Sequence, residues 1–365
     1  MLHELNIEEY RGIKNLTLHD LGKVNIIAGA NNTGKTSILE VIRSLEAPND
    51  FSRWRMIGRR EEANPRSYTT IYDTLKALFP DNTPDEGRIK YYGSGEMGCF
   101  DVELLANRYD TIVTGHDLKE TFMSQVGGRE KAAYDIEYET EAIDITVKIN
   151  GESVGETTVY SMQGGWPRQE REEVRKILEK VIYVSPIQHT QNSFFLDSIM
   201  NDVELYERFV EVMRLFDSGF VSINSVETER GMGRKYIVLS KKHKEGLLLN
   251  AYGDGMKKAM LLLSAVVRAK EGGILLLDEF ETAIHISVMK EVFSWVIRTA
   301  NELGVQIFMT SHSLEAIEEV LKCIPSMQRD MRMITLVRVD DELKVRNVDG
   351  EKAVQLLDEY GLELR

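Results

Sequence analysis

The sequence predicts an α/β fold with a mixed sheet, and three observations lead to this prediction. A short β-branched run, Lys23–Ala28, precedes a glycine-rich segment and a helix start near Ser37. Two further apolar runs, Ile274–Leu277 and Val305–Met309, alternate with helical patterns in the second half of the chain. Between about residues 91 and 161, hydrophobic residues alternate with polar ones, which is typical of half-buried strands.

The composition is that of a globular chain with a full hydrophobic core. Of the 365 residues, 42% are hydrophobic and 28% are charged, and no apolar stretch approaches the length of a membrane span. The N-terminal residues lack the basic start and apolar run of a signal peptide. Cys99 and Cys323 are the only cysteines, which excludes a disulfide framework and a cysteine zinc site. We therefore expect a reducing, cytoplasmic location.

The net charge of −14 disfavours nonspecific adsorption to nucleic acid. It does not exclude a local basic groove, and the chain contains two groups of basic residues. One group is Arg53, Arg55, Arg59 and Arg60, and the other is Lys241, Lys242 and Lys244. We favour solvated loops as the explanation of both, with a nucleic-acid-binding groove as the alternative.

The segment Gly29–Thr36 reads G-x-x-x-x-G-K-T and lies between a predicted strand and a predicted helix. The backbone N–H groups of such a loop, together with the positive end of the helix, bind phosphate. We expect Lys35 to reach the β- and γ-phosphates of a nucleoside triphosphate, and the Thr36 hydroxyl to bind Mg²⁺. The fold class is thus that of a P-loop nucleoside triphosphatase. The residues expected to hold the nucleotide here are Gly29, Asn31, Asn32, Thr33, Gly34, Lys35, Thr36 and Ser37.

Polar residues follow two of the predicted strands, at the edge where open α/β sheets bind ligands. Asp278 and Glu279 come directly after Ile274–Leu277. We expect Asp278 to hold Mg²⁺ and Glu279 to polarise the attacking water as a general base. His312 ends the next strand along the chain, where it would sense the γ-phosphate.

A second glycine-containing segment precedes the long predicted helix at about residues 253–270. Gly253 and Gly255 would leave backbone N–H groups exposed at the start of this helix, which suits an anion. Because the chain already contains one phosphate loop, we expect this second anion site to contact the nucleotide of another subunit.

The order of these motifs resembles the ABC-type ATPase heads of the SMC (structural maintenance of chromosomes) and RecF kind. It most closely resembles the ATPase domain of the OLD (overcoming lysogenisation defect) family of AAA proteins. The resemblance covers roughly residues 1–42 and 249–321. It implies an ABC-ATPase-like head with a mixed sheet, a β-rich N-terminal subdomain and an inserted α/β middle region. Both ends of the chain, about 1–46 and 181–365, would form one head, with an inserted region at about 47–180.

The resemblance also implies roles for individual segments. Arg11, in the motif Tyr10–Lys14, would contact the nucleotide, and Lys35, Glu279 and His312 would be the catalytic residues. The segments that match named family motifs are Gly29–Thr36 (Walker A), Ile274–Glu279 (Walker B), Tyr252–Met256 (signature loop), Glu281–His285 (D-loop) and Thr310–Ser313 (switch-histidine loop).

This chain departs from the family pattern at three places. In the D-loop, Ala283, Ile284 and Ile286 replace the usual Gly, Leu and Pro. Tyr252 or Ala251 occupies the position of the leading serine of the signature loop. Two candidates, Gln188 and Gln163, remain for the glutamine loop.

Two hypotheses of function follow. The first is a Mg²⁺-dependent ATP-hydrolysing switch that dimerises head to tail and controls a separate effector, such as a nuclease or toxin in bacterial defence. Full OLD proteins carry a TOPRIM nuclease after the ATPase, and we expect this chain to be an ATPase unit without one. The second hypothesis is a DNA- or RNA-binding scaffold of the recombination or repair type, which uses ATP for assembly. GTP stays open as a substrate, although no N-K-x-D motif is present.

Overall fold

The computed structural model describes residues 1–60, 70–80, 85–114, 137–162, 173–191, 194–227, 234–340 and 342–360. The strands of this part of the chain form three sheets. They are β1 (Leu2–Tyr10), β2 (Ile13–Leu18), β3 (Val24–Gly29), β4 (Glu86–Gly95), β5 (Gly98–Thr114), β6 (Glu137–Ile149), β7 (Glu152–Tyr160), β8 (Val181–Val184), β9 (Phe220–Glu227), β10 (Arg234–Ser240), β11 (Leu247–Leu248), β12 (Ile274–Leu277), β13 (Gln306–Ser311), β14 (Met331–Val339) and β15 (Glu342–Asp349).

The α-helices of the described residues pack on these sheets. They are α1 (Lys35–Ser44), α2 (Phe51–Gly58), α3 (Ile71–Lys76), α4 (Asp197–Met200), α5 (Val203–Met213), α6 (Asp254–Arg268), α7 (Ile286–Glu302), α8 (Leu314–Lys322) and α9 (Gly350–Tyr360). None of these helices is both long enough and apolar enough to cross a membrane.

A central sheet of six strands carries the glycine-rich loop, in the order β15-β14-β3-β13-β12-β8. All neighbours in it are parallel except β15, which runs antiparallel to β14. The carboxyl ends of β3, β8, β12 and β13 therefore meet at one edge, where the loops that follow them can converge. This mixed sheet confirms the predicted fold class.

Both faces of the central sheet are buried, because side chains alternate between two hydrophobic cores. In β3, Ile26 packs into the core formed with α5, α6, α7 and α8, whereas Ile27 packs into the other core. In β12, Leu275 packs into the first of these cores and Leu276 into the second. The second core is shared with α1 and with the antiparallel sheet described next. Fully buried strands of this kind read as continuous apolar runs, which is the pattern in the sequence.

The second large sheet is antiparallel throughout, in the order β2-β1-β4-β5-β6-β7. It joins strands of the N-terminal segment to those of the region expected as an insertion. The hairpin between β6 and β7 turns at Asn150 and Gly151, whose φ angles are +52° and +82°. Asn-Gly is the pair that favours such a turn, as the sequence predicts.

Gln306, the first residue of β13, connects the two large sheets. Its Nε2 donates to the carbonyl oxygens of Leu2 and Gly22, each at 2.8 Å. Its Oε1 accepts from the backbone N–H of Leu2, also at 2.8 Å. The side chain is 1% exposed, so these bonds satisfy backbone groups that water does not reach.

The charged segment Gln169–Lys180 predicts a helix from its sequence, and this prediction is wrong over the described part, because residues 173–180 are not helical. Residues 163–172 lie outside the described part of the chain. The backbone N–H groups of Ile177 and Leu178 both donate to the Leu45 carbonyl at 3.0 Å, and the Asn49 side chain bonds the same segment. These tertiary hydrogen bonds use the groups that a helix would have paired internally.

Two other parts of the fold were not specified by the sequence patterns. The composition from about Ala47 to Arg66, rich in Arg, Asn, Pro and Asp, predicts a loop or a short helix without deciding between them. Its described part contains α2, which Asp50 caps by accepting from Ser52 N at 2.9 Å. Strands β9, β10 and β11 form a separate antiparallel sheet, in the order β11-β10-β9, which no periodicity indicated.

Replacing Gln306 with leucine tests the connection between the two large sheets. Leucine would remove these three hydrogen bonds, and only the Gly22 carbonyl oxygen would keep another side-chain donor, Asn25 Nδ2. We expect the free energy of unfolding to fall by about 2–4 kcal/mol. Urea denaturation followed by circular dichroism measures this loss. The matched control is Gln355→Leu on the exposed side of α9, with an expected change within about 0.5 kcal/mol. Equal stability of the two variants would contradict the structural role of Gln306.

Candidate active site

A pocket of about 510 Å³ lies at the edge where the parallel strands end. Its walls come from the loop after β3, the ends of β12 and β13, and the turn between β1 and β2. The residues that line it are Arg11, Gly12, Ile13, Asn31, Asn32, Thr33, Gly34, Lys35, Thr36, Ser37, Arg60, Asp278, Glu279, Thr310, His312 and Arg338.

The phosphate-loop motif has a local conformation that requires glycine at Gly34. This residue precedes α1 with φ +92°, in the left-handed region that favours glycine. A Cβ at Gly34 would also lie 2.9 Å from Cγ1 of Ile13. The loop is therefore closely covered by the first residue of β2, and its N–H groups at the start of α1 remain directed at the pocket.

Lys35 is held inside the loop. Its Nζ donates to the carbonyl oxygens of Gly29 and Ala30, at 2.8 and 2.9 Å. Burial lowers the pKa of Lys35, and the carboxylates of Asp278, Glu279 and Glu281 act against that shift. An ammonium group that is partly desolvated, and that bonds carbonyl oxygens but no carboxylate, is well suited to bind a phosphate oxygen.

The Asp278 carboxylate is the point at which four segments meet. Its Oδ2 accepts hydrogen bonds from the hydroxyls of Thr36 and Tyr183, both at 3.1 Å. Its Oδ1 accepts from the Thr310 hydroxyl at 2.6 Å. Asp278 is 5% exposed, so its charge depends on these donors for stabilisation.

A carboxylate beside a threonine hydroxyl, at the edge of a phosphate-sized pocket, is a set of hard oxygen ligands. Mg²⁺ prefers such ligands and is usually held by one or two carboxylates together with phosphate oxygens. Thr36 and Asp278 therefore fit a Mg²⁺ ion that arrives with a nucleotide.

Glu279 and His312 face each other across the pocket. Glu279 Oε1 is 3.8 Å from His312 Nε2, and the opposite ring nitrogen of His312 is 3.3 Å from Lys35 Nζ. The backbone at Glu279 has φ +44°, and its N–H donates to the Thr310 hydroxyl at 2.9 Å. Thr310 thus orients both acids of the motif, and the Glu279 carboxylate, 45% exposed, extends into the pocket.

Arg11 lies at the opposite wall, where it is held by a buried acid. Its Nε is 2.9 Å from Glu40 Oε2, and the Tyr10 hydroxyl donates to the same oxygen at 3.0 Å. Arg60 Nε donates to Glu40 Oε1 at 3.0 Å. Glu40 thereby holds two guanidinium groups at the mouth of the pocket.

The predicted basic groups are not free patches of charge. Arg60 lines the pocket and pairs with Glu40, and Arg53 is 3.1 Å from Glu46. In the other group, Lys242 is 3.0 Å from the buried Asp217 carboxylate. These pairings reduce the positive potential available to a nucleic acid.

Gly253 and Gly255 are not brought to the pocket of their own chain. Gly253 caps α6, and beyond its own helix and chain neighbours no atom of the described residues lies within 4 Å of the position its Cβ would take. At Gly255 a Cβ would lie 2.9 Å from the Ala283 carbonyl oxygen, so the start of α6 packs on the D-loop segment. Ala283 keeps the glycine-like conformation with φ +68°, although a left-handed alanine carries strain.

The glutamine-loop assignment is not decided by the pocket. Gln188 is 8% exposed and does not belong to the pocket lining given above. Gln163 lies outside the described residues.

Sequence reasoning missed four residues of the site. Tyr183 and Thr310 were missed as hydroxyl donors to Asp278, and Arg60 and Arg338 were missed as residues that line the pocket. Thr310 and Tyr183 lie in or at the end of strands beside β12. A polar side chain near the end of a buried strand was the signal in the sequence. It can be assigned to this site only when the order of the strands in the sheet is known.

Two family profiles match the chain. Residues 1–87 match a family described as "AAA ATPase domain". Residues 163–318 match one described as "AAA domain, putative AbiEii toxin, Type IV TA system". The two matched segments contain the glycine-rich loop and the Asp278–His312 segment respectively.

Individual relatives extend this result. A protein of Helicobacter pylori described as an ATP/GTP phosphatase is 22% identical over 330 residues, covering 87% of this chain and 87% of that protein. A DNA replication and repair protein RecF of Acinetobacter baumannii is 48% identical over 113 residues, which is 31% of this chain and 27% of that protein.

Among solved structures, an SMC head bound to the C-terminal winged-helix domain of ScpA has the same fold. The TM-score is 0.50 at 13% identity, and the alignment covers 97% of this chain and 99% of that one. The family matches support an ATPase, and the fold of the chain is that of an ABC-type SMC head.

Proposed function

We propose that this chain is a Mg²⁺-dependent ATP switch that hydrolyses ATP between two heads and controls a separate effector. The observation that carries the proposal is the convergence, in one pocket, of Lys35 and Thr36 with Asp278, Glu279 and His312. These side chains come from segments more than two hundred residues apart and supply each function that phosphoryl transfer needs.

The roles of the residues follow from their positions. The backbone N–H groups of the phosphate loop, Lys35 and Arg11 bind the triphosphate, and the phosphate oxygens take the place of the carbonyl oxygens now bonded to Lys35 Nζ. Thr36 and Asp278 would hold Mg²⁺, which would neutralise charge on the phosphates. Glu279 accepts a proton from the attacking water, and His312 contacts the γ-phosphate.

Head-to-tail dimerisation is supported by the position of the signature loop. Gly253 caps the fifteen-residue helix α6 with open space at its Cβ position. This helix start is separate from the pocket of its own chain. A helix N-terminus attracts anions, so in a head-to-tail pair it contacts the γ-phosphate bound by the partner.

The proposed effector role rests on family context. The description of the family matched by residues 163–318 names a toxin and a toxin–antitoxin system. This supports a role in bacterial defence in which the ATP state of the heads holds or releases a toxin or a TOPRIM nuclease. An OLD-type head that acts with a separate nuclease fits the same proposal.

A nucleic-acid scaffold is the second candidate, and the likeness to RecF favours it. That likeness spans 27% of the RecF chain. The net charge of −14 and the pairing of Arg53, Arg60 and Lys242 with acids act against it.

The Glu279→Gln variant tests the role of the general base. Glutamine keeps the size of the side chain but cannot accept the proton, and we expect the rate of ATP hydrolysis to fall by at least about 10²-fold. ATP should still bind, and size-exclusion chromatography with ATP and Mg²⁺ should show an increased dimer fraction. Glu271→Gln, at an exposed position before β12, serves as the control. Hydrolysis at the wild-type rate in Glu279→Gln would remove Glu279 from the mechanism.

The Tyr183→Phe variant tests how Asp278 is oriented. Loss of the hydroxyl removes one of the donors that fix this carboxylate, and we expect the Mg²⁺ concentration for half-maximal hydrolysis to rise about tenfold. ATPase assays over a Mg²⁺ titration measure the shift. Tyr206→Phe is the control, because the Tyr206 ring stacks on Phe209 and the hydroxyls that bond Asp278 come from Thr36, Tyr183 and Thr310. An unchanged Mg²⁺ requirement in Tyr183→Phe would contradict this role, because Thr36 and Thr310 would then be sufficient to orient the Asp278 carboxylate.

Binding to duplex DNA distinguishes the two candidate functions. The scaffold predicts binding at low salt that weakens as salt rises, and that weakens further when Lys241 and Lys244 are changed to glutamate. The switch alone predicts no such binding. Fluorescence anisotropy with a labelled duplex, with and without ATP, measures it over a salt series.

A further inference from the structure

Glu40 is a buried acid in the second turn of α1, the helix that begins at the phosphate loop. It is 4% exposed, although a glutamate is rarely buried without partners. The Tyr10 hydroxyl donates to Glu40 Oε2 at 3.0 Å. Burial, together with the charge of Glu40, raises the pKa of Tyr10, so this hydroxyl stays protonated and remains a donor. The carboxylate is therefore held at the edge of the core that contains Tyr10.

The same carboxylate holds two guanidinium groups. Arg11 Nε lies 2.9 Å from Glu40 Oε2, and Arg60 Nε donates to Glu40 Oε1 at 3.0 Å. Two guanidinium groups repel each other, so a shared carboxylate is what allows them to lie close together. Hydrogen bonds between ionised groups are strong, and salt screens a buried charge less than an exposed one.

Both arginines, but not the acid, belong to the pocket lining given above. Two positive charges stand against one negative charge in this group, so it presents a positive charge to the pocket. A guanidinium carries five N–H donors. Within the described residues, the contacts with Glu40 and Tyr10 use Nε and Nη2 of Arg11 and Nε of Arg60. Donors therefore remain on both groups for an anion in the pocket.

The arginines are fixed relative to the phosphate loop. Glu40 and the first turn of the loop helix belong to the same α1, and Ile13, two residues after Arg11, covers Gly34. The planar fork of an arginine matches the geometry of phosphate oxygens. These two features favour the phosphate chain of a nucleotide over its base as the group that the arginines bind.

We propose that Glu40 positions Arg60 beside Arg11 as an arginine pair that binds the phosphate chain of the nucleotide. Arg60 is the additional ligand, and Glu40 is a positioning residue, because it acts through the two guanidinium groups. The proposal rests on the proposed function, since it takes the pocket as the nucleotide site. Because the pair binds phosphate, ATP and GTP depend on it equally.

The first experiment compares Arg60→Gln and Glu40→Gln in the full chain. Glutamine at position 40 replaces one acceptor oxygen with an NH₂ donor, which cannot accept from a guanidinium or a hydroxyl. We expect the dissociation constant for N-methylanthraniloyl-ATP with Mg²⁺ to rise about tenfold in each variant, because a charged hydrogen bond is lost. KM should rise with it, whereas kcat should fall by no more than about threefold, since Glu279 and His312 are retained.

Two matched variants control for the loss of a charge and of an ion pair. Arg55→Gln changes another arginine of α2, outside the pocket lining given above. Glu46→Gln removes the acid that lies 3.1 Å from Arg53. Both should bind the analogue within about twofold of wild type. A wild-type dissociation constant in Arg60→Gln, or an equal rise in Arg55→Gln, would overturn the proposal.

Inorganic tripolyphosphate identifies the part of the nucleotide that the pair binds. Competition against the fluorescent analogue measures its affinity and that of GTP. We expect Arg60→Gln to weaken tripolyphosphate, GTP and ATP in the same proportion. If tripolyphosphate binds wild type and Arg60→Gln equally while ATP is weakened, Arg60 contacts the base or the ribose, and the phosphate assignment is wrong.

The double variant Glu40→Gln/Arg60→Gln tests whether Glu40 acts through Arg60. Both changes disrupt the same contact, so we expect the dissociation constant to rise by less than the product of the two single effects. A rise equal to that product would overturn the positioning role. If Glu40→Gln does not fold, Arg60→Lys replaces it, because lysine keeps the charge but lacks the fork. A dissociation constant at least about threefold above wild type then supports the pair, and an unchanged one overturns it.

The binding measurements separate this proposal from the proposed function. If the wild-type chain binds the analogue but does not hydrolyse ATP, the proposed function fails, and the dissociation constants still decide on the arginine pair. If the chain hydrolyses ATP and Arg60→Gln binds like wild type, the arginine pair alone fails.

Discussion

The carboxylate of Asp278 is the constraint on which the arrangement of the pocket depends. It lies after β12 and receives hydroxyls from the start of α1, from β8 and from β13. A buried carboxylate needs such donors, because desolvation would otherwise favour its neutral form. The same three bonds draw the ends of neighbouring strands together, so the stabilisation of one charge also determines the shape of the phosphate pocket.

This arrangement is possible because the central sheet is covered on both faces. Its strands present alternate side chains to two separate cores. Buried polar side chains within the strands, such as Asn25 and Gln306, are hydrogen-bonded to backbone groups. Helices α5 to α8 cover one face, while α1 and the antiparallel sheet cover the other. The side chains within the strands are packed in these cores and need no hydration, so the strands are fixed in position. The loops at the ends of the strands can therefore hold polar groups close together.

The parts of the fold that were predictable have local signals. The strand, loop and helix around Gly34 follow from glycine positions and an apolar run, and β12 follows from its apolar residues and the acids after it. Strand β9 was missed because Ser222, Asn224 and Ser225 interrupt the alternation that identifies a strand. The helix expected near Lys180 failed because tertiary hydrogen bonds to Leu45 use its backbone.

The site could be predicted for residues whose role follows from the local sequence motif that contains them. The proximity of Asp278 and Thr36 could be inferred from the rule that parallel strands share one carboxyl edge. Tyr183 could not be assigned, because its contact requires β8 to lie beside β12, and strand order is not encoded locally. The burial of Lys258 was missed for a similar reason: a lysine in an amphipathic helix is usually solvated, and only the tertiary packing of α6 makes it buried.

The contact between Ile13 and Gly34 makes the geometry of a surface hairpin part of the phosphate loop. Tyr10 pairs with Ile13, so only Arg11 and Gly12 lie between the two strands. This two-residue turn sends Arg11 to one wall of the pocket and lays Ile13 over Gly34. Side chains alternate along a strand, so one inserted residue would reverse both orientations. The length of the first hairpin is therefore as much a requirement of nucleotide chemistry as the glycines themselves.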